Sequence, residues 1–404
     1  MNRQTYMHAG GVQDSEQIWA GMSAAGFDHE DILLALAPKP VHVLAVTYDF
    51  FPIEGARRTV ERAKRIWELY GEGDQVQLFE DVSLHHYTSP LAASAARFFS
   101  KVLNGMEREP ADLERFALPV AEVQCTKSGQ MKLDFADARI VHDENLQAIE
   151  ALQLNRSARS NADQQQLARK WLEGRVMNKR LPSPINLRRQ PVGMAIGLDV
   201  ESLLWWSQAG MMNHAMLFRK MNTEGEALPV TIAVWDDGST NLKHYEQWIR
   251  RTCESGRAVL VLDSSGVGPL SPWDANEFPN HLYGTMHRMA DELIWQDDSI
   301  VALRTYDVLR SLDLAAEHPE LTADGIQLFA SGRHSMYAQL AAYLDDRITN
   351  LQLQDGFDSV ASWIQSKYDD EEDRLSIIIP GMLAFFDLPD IRKWLASQGR
   401  IDSV

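Results

Sequence analysis

VHVLAVTYDFFPIEGARR, residues 41 to 58, is the stretch on which the fold class turns. Val41, Val43, Leu44, Ala45 and Val46 form a nearly unbroken apolar run, the pattern of a strand buried on both faces of a parallel sheet. The run closes on Thr47 and Tyr48, and Asp49 follows at once, ahead of a Phe-Phe-Pro turn and a helix start. An acid there stands at the strand edge where open α/β sheets collect ligands and catalytic groups.

Gln75 to Glu80 reads as the next strand and runs into Asp81-Val82-Ser83-Leu84-His85-His86-Tyr87, with Ser89 and Pro90 opening a helix. A carboxylate after one strand and a histidine after the next is the arrangement in which an acid orients an imidazole that deprotonates a serine. His85 is therefore the candidate base and Asp49 its orienting acid. The structural alternatives are a strand-end histidine and a carboxylate that caps the helix before Gly55; His86 reads as packing or rim.

Three segments, GGVQDSEQIW (Gly10 to Trp19), FDHEDILLALAPKPVHVLAVTYDFFPIEG (Phe27 to Gly55) and LHHYTSPLAASAARFF (Leu84 to Phe99), resemble the C-terminal third of an α/β-hydrolase of the acetyl xylan esterase type. The resemblance covers roughly residues 1 to 105 and implies that Asp49 follows the seventh strand of that fold and His85 the eighth. It brings no nucleophile, because the family's serine lies upstream of the matching part.

Composition sets outer limits. The 404 residues allow two domains, and 45% hydrophobic with 24% charged residues is ordinary globular usage. A net charge of -18 leaves no positive field for phosphates, which argues against nucleic acid and anionic membranes as partners. Two cysteines, Cys125 and Cys253, are too few for a disulfide framework, fit no zinc spacing, and read as free, mostly buried thiols. No apolar run approaches a membrane span and MNRQTYMHAGG is not a signal peptide, so the expected location is the cytoplasm.

Along the chain, a short helix from His29 ends at Pro38 and Pro40; Gly55 to Tyr70 and Ser89 to Leu103 are further helices. Residues 106 to 190 read as a connecting segment: a hairpin, Ala121 to Cys125 with Met131 to Phe135 around Ser128-Gly129, a polar helical stretch from Glu144 to Arg175, and a Pro- and Arg-bearing linker from Asn178 to Pro191. From 191 the α/β rhythm resumes. Leu228 to Trp235, Arg257 to Asp263, Ile326 to Ala330 and Ile348 to Gln354 are strands, separated by helices at Asn241 to Glu254, Leu282 to Leu314 and Met336 to Leu344, which implies a right-handed, mostly parallel sheet. VLDSSGVGPLSP (Val259 to Pro272) and AAYLDDRI (Ala341 to Ile348) resemble passages of the front two-thirds of the same hydrolase family.

An internal repeat joins the ends. Phe27-Asp28-x-x-Asp31-Ile32-x-x-x-Leu36-Ala37 recurs as Phe386-Asp387-x-x-Asp390-Ile391-x-x-x-Leu395-Ala396, with Gly21-Met22 and Gly381-Met382 shortly before each copy. Two architectures accommodate this. Either the two ends share one sheet of permuted strand order, or the chain holds parts of two tandem hydrolase units with unpaired strand edges. The first is the expectation.

A nucleophile should follow the strand at Ile326, in FASGRHSMYAQLAA (Phe329 to Ala342). A nucleophile elbow needs small residues two before and two after its serine. Around Ser335 those positions hold Arg333 and Tyr337, and the spacing to Asp345 favours Gly332 or Arg333 at the turn. Ser335 is nonetheless the first candidate, with the amides of Met336 and of Trp235 to Ser239 as its oxyanion site; Ser331 is the second, and Ser264 and Ser265 fit a turn better. Asp313, His318, Asp345 and Asp346 read as caps or surface charges, Trp205 and Trp206 as core, and Asp369 to Asp373 as a solvated acidic run lacking a calcium loop's spacing. Gly266-x-Gly268 is too short for a dinucleotide fingerprint.

The functional expectation is a carboxylic ester hydrolase acting on short acyl esters through Ser335, His85 and Asp49. No metal or organic cofactor is implied. The expected partner is a small ester or acetylated carbohydrate, and the chain is a candidate homo-oligomer. The alternative is a non-catalytic hydrolase-like binding or assembly module.

Overall fold

The computed structural model describes residues 17–109, 118–273, 284–368 and 374–401. The acidic run at 369 to 373 and most of the Gly10 to Trp19 segment lie outside them. The chain divides into two compact units, Met1–Ala138 and Arg139–Val404.

The first unit is built on helix α1 (His29–Leu34), strand β1 (Val41–Tyr48), helix α2 (Ile53–Leu69), strand β2 (Val76–Leu84) and helix α3 (Ser89–Asn104). β1 and β2 pair in parallel, Val41 opposite Val76 and Tyr48 opposite Leu84. Two strands alone cannot hide a parallel sheet's faces, so helices cover both. Val60, Ala63 and Trp67 of α2 bury against Val41, Val43, Val76 and Leu78, and the Trp67 indole N–H donates to the Lys39 carbonyl at 3.0 Å. On the α3 side, Ser94 Oγ lies 2.8 Å from His42 Nε2 and the Phe98 ring stacks on the same imidazole.

The hairpin expected at 121 to 135 does not form. Val120–Val123 (α4) and Met131–Asp134 (α5) are single helical turns whose apolar side chains are exposed, so a hairpin here has no layer to pack on. Ser128 fixes the stretch instead, donating its N–H and its hydroxyl to Asp134 Oδ2, each at 2.8 Å.

The second unit begins with α6 (Val141–Ser157) and α7 (Asn161–Met177), the stretch read as a polar connector. It belongs to the core: Ile149, Ala168, Leu172 and Val176 are buried in the main apolar cluster. Strands β3 (Arg188–Ala195), β4 (Leu198–Gln208), β5 (Met211–Lys220), β6 (Leu228–Val234), β7 (Ala258–Asp263), β8 (Leu321–Gly332) and β9 (Ile348–Gly356) form one sheet in the order β3-β4-β5-β7-β6-β8-β9. β7, β6, β8 and β9 run parallel, while β3, β4 and β5 join antiparallel. The supposed linker is thus partly an edge strand. Helix α8 (Leu242–Glu254) covers one face; α10 (Ile300–Glu317) and α11 (Ser335–Leu344) cover the other, preceded by α9 (Thr285–Trp295) and followed by α12 (Val360–Gln365) and α13 (Leu388–Ser397).

The two repeat copies fold alike. Asp28 and Asp387 each accept from the first turn of the following helix, and Asp31 and Asp390 each return the bond to the cap's own N–H, a reciprocal capping box. Gly21 and Gly381 both adopt positive φ, 77° and 89°. The surroundings differ: Phe386, Ile391 and Leu395 are fully buried, whereas Phe27, Ile32 and Leu36 are 56%, 43% and 40% exposed.

Strand pairing is defined within each unit. β1 and β2 pair in a two-stranded sheet in the first unit, and in the second the open side of β9 is met by the residues that follow the second repeat copy, Ile401 bridging Leu351 in parallel and Leu351 N–H bonding the Arg400 carbonyl at 2.9 Å.

The copies give a stability test. Asp387 is buried and accepts from Ser359 Oγ and from the amides of Val360, Ala361 and Leu388, at 2.7 to 3.2 Å. Asp387→Ala strands buried donors and is expected to cost about 3 kcal/mol, against about 1 kcal/mol for the cap lost in Asp28→Ala. Urea unfolding of the two variants checks this, and equal midpoints would contradict it.

Candidate functional site

Parallel register places Tyr48 opposite Leu84, so the residues that follow, Asp49 and His85, leave the two strands side by side at their C-terminal ends. His85 Nδ1 lies 3.0 Å from both carboxylate oxygens of Asp49, and Asp49 Oδ1 also accepts the Phe51 amide at 3.1 Å. A carboxylate only accepts, so the neutral imidazole carries its proton on Nδ1 and leaves Nε2 as a lone pair. The Phe50 ring lies 4.4 Å from the His85 ring and fixes one face of it. Asp49 is 17% exposed and His85 61%, an oriented imidazole open to solvent. Tyr48, Phe50, Leu84 and Tyr87, next to the pair along the chain, are also exposed.

Ser335, in the second unit, is the first residue of α11 and is fully buried; its Oγ accepts the Phe357 amide at 2.7 Å. Of the amides expected to form its oxyanion site, three are engaged elsewhere, Met336 N–H with the Arg333 carbonyl, Gly238 N–H with the Trp235 carbonyl and Ser239 N–H with Asp263 Oδ1. The strand-to-helix turn itself is centred on Gly332, one of the two positions favoured by spacing, at φ 67°. No nucleophile stands there. A Cβ on Gly332 would lie 2.5 Å from Asp236 Oδ2, because the Asp236 carboxylate occupies the hollow and accepts the amides of Arg333 and His334 at 3.3 and 3.0 Å. In a hydrolase elbow the amide after the nucleophile stabilises the oxyanion. Here an internal anion holds it. Ser331, the second serine considered, is buried and bonds the Tyr245 hydroxyl.

Sequence reasoning overlooked a third constellation. Ser202 on β4, His214 on β5 and Asp263 at the end of β7 are hydrogen-bonded in series: Oγ to Nε2 at 2.9 Å, Nδ1 to Oδ2 at 2.6 Å. Asp263 also accepts Ser239 N–H and Oγ–H, each at 2.6 Å. Gly238 and Gly268 make room for its carboxylate, since a Cβ at either would lie within 2.3 Å of Oδ1. That explains Gly268 in the turn read above; Gly266 clears Met286 instead. The serine, histidine and acid sit on three different strands at unrelated spacings, so no sequence motif advertises them.

Glu201, His318 and Glu320 bring ligand atoms within 4.8 Å of one another and could hold a metal ion. Their charge is already offset. Arg189 bonds both Glu201 oxygens at 2.8 and 3.1 Å and Glu320 at 2.7 Å, and Arg219 bonds Glu320 and Asp199. His318, expected at the surface, is buried, and burial with nearby Arg189 lowers its pKa. Asp345 does cap α11 and pairs with Arg347, and Trp205 is core. Of the two free cysteines Cys253 is buried, its thiol pushed up to about 12 by burial, but Cys125 is exposed. No helix among the described residues is long and apolar enough to cross a membrane.

No protein-family profile matches the chain, and no curated protein does. Among solved structures the fold is similar to a candidate acetyl xylan esterase from Bacteroides fragilis, with TM-score 0.47 and 13% identity over 57% of this chain and 65% of that one. Acetyl xylan esterase 1 from Thermoanaerobacterium sp. JW/SL YS485 is similar at TM-score 0.38 and 14% identity, covering 56% and 74% of the two chains. An acetyl xylan esterase from Paenibacillus sp. R4 follows at TM-score 0.36 and 17% identity, covering 55% and 72%.

Proposed function

We propose that this chain is a carboxylic ester hydrolase of short acyl esters, in which His85, oriented by Asp49, is the general base. The observation that carries this reading is the pairing of Nδ1 with both Asp49 oxygens at 3.0 Å beside an accessible ring. In the reaction Nε2 takes the proton of a serine hydroxyl, the oxygen attacks the acyl carbon, and the alcohol leaves with that proton. Water activated by the same imidazole then releases the acid. Acetyl esters, including acetylated carbohydrates, are the class that the resemblance at Phe27 to Gly55 and Leu84 to Phe99 implies. Ser335 is the serine proposed from the sequence; its Oγ accepts the Phe357 amide.

The rival reading, a non-catalytic hydrolase-like module, is favoured by one observation: the turn at Gly332 lacks a nucleophile and its amides hold Asp236. Turnover of p-nitrophenyl acetate, with fluorophosphonate labelling mapped to peptides, decides between them. Turnover with label on the peptide carrying Ser335 supports the hydrolase as drawn, and turnover with label on another serine keeps the hydrolase and replaces Ser335. Absence of turnover leaves the module.

A further inference from the structure

The set Ser202, His214 and Asp263 lies wholly within the second unit and is not used by the reading above. Asp263 is fully buried, His214 nearly so, and Ser202 is half-exposed in the body of β4. The backbone ladders already hold these strands, Ser202 opposite Gln190 on β3 and Met216 on β5, and His214 opposite Asp263 on β7. The polar series is therefore not needed to join them. A buried carboxylate and imidazole are also poor stabilisers compared with apolar residues of the same volume. What the series does supply is polarity of one sense. Asp263, accepting two bonds from Ser239, takes its third from Nδ1–H, so Nε2 presents a lone pair and the Ser202 hydroxyl donates to it. That is the protonation pattern of a general base set against a serine nucleophile.

We propose that Ser202 is an acyl-accepting nucleophile, modified covalently by small activated acyl donors of the aryl ester or thioester class. Ser202 Oγ attacks the acyl carbon while its proton passes to His214 Nε2; the bond from that carbon to the leaving oxygen or sulfur breaks, and the leaving group departs with the proton. Size is limited by the strand. On the same face Val200 is buried and Leu204 half-buried, so a short acyl chain fits and a large one meets the sheet. Rate is limited too. β4 is paired on both sides, so its amides around Ser202 are committed to the ladders instead of to an oxyanion. The outcome is stoichiometric acylation with slow release, at a modification site distinct from turnover through His85.

The test is incubation of the intact chain with p-nitrophenyl acetate, followed by peptide mass mapping. One acetyl group per chain on Ser202 is expected, absent in Ser202→Ala and formed about 10²- to 10⁴-fold more slowly in His214→Gln. An unmodified Ser202, or equal rates in wild type and His214→Gln, overturns the proposal. Should His214→Gln fail to fold, nitrogen NMR of the wild-type imidazole decides: a proton on Nδ1 with Nε2 bare supports the assignment, and the opposite tautomer refutes it. Loss of ester turnover in His85→Ala with Ser202 acetylation intact separates this site from the one proposed above.

Discussion

His85→Ala and Asp49→Ala are each expected to lower kcat/KM for p-nitrophenyl acetate by about 10²- to 10⁴-fold, the usual contribution of a positioned general base. The double variant should be no slower than the slower single one, because the carboxylate acts only through the ring it orients. Both Asp49 oxygens face Nδ1, so losing the acid frees the ring to rotate and to protonate on the wrong nitrogen. The folded state should hardly notice. His85 is 61% exposed, and an ion pair that open to water is worth less than about 1 kcal/mol. Steady-state rates with urea unfolding on the same preparations check both halves. Additive rate losses would show that the two side chains act separately, and wild-type rates in either single variant would remove them from the reaction.

Asp291→Asn is expected to stabilise the second unit at neutral and alkaline pH and to leave it unchanged below about pH 4. Burial, with Glu292 beside it, pushes the Asp291 carboxyl up to about 8 from an ordinary value near 3.8. A basic neighbour, His287 with Nε2 3.4 Å away, is held neutral by its own burial. Below pH 4 folded and unfolded chains both carry the proton. Between that pH and about 8 the unfolded chain releases it while the folded chain keeps it, so rising pH favours unfolding. The ceiling is about 1.4 kcal/mol per pH unit, which accumulates to a few kcal/mol by pH 8. Asparagine has no proton to lose and escapes the penalty. Urea midpoints of both chains should diverge steadily from pH 4 to about 8 and level off above it, and profiles parallel throughout would refute the assignment.

The parts of the fold legible in the sequence are those whose signal is local. The continuous apolar run at 41 to 46 is a parallel strand, and the acid and histidine expected after adjacent strands do meet, because parallel register carries equal offsets to equal heights. The antiparallel half went unread. β3 is exposed along its length and contains Pro191, as an edge strand tolerates, and the turn into β4 places Ile196 and Gly197 at φ 50° and 76°, a two-residue turn without the asparagine or aspartate that normally announces one. α6 and α7 read as connectors because their sequences are largely polar, yet Ile149, Ala168, Leu172 and Val176 are buried in the core while Val141, Leu154 and Met177 stay exposed. The Ser202 series was illegible in principle, since cross-strand proximity depends on sheet order, and β7 precedes β6 in space although it follows it in sequence. The repeat was visible as spelling; its meaning, a reciprocal cap, came from the bonds between Asp28 and Asp31 and between Asp387 and Asp390.

The turn at Gly332 also bears on how this chain can change over generations. Any side chain introduced there collides with the carboxylate of Asp236, so a serine arriving alone meets steric conflict before it offers chemistry. Replacing Asp236 alone uncovers two amides with nothing to attack a substrate beside them. Neither mutation is useful without the other. Placing a nucleophile at this turn therefore requires both replacements together, because each alone meets a steric or a chemical obstacle.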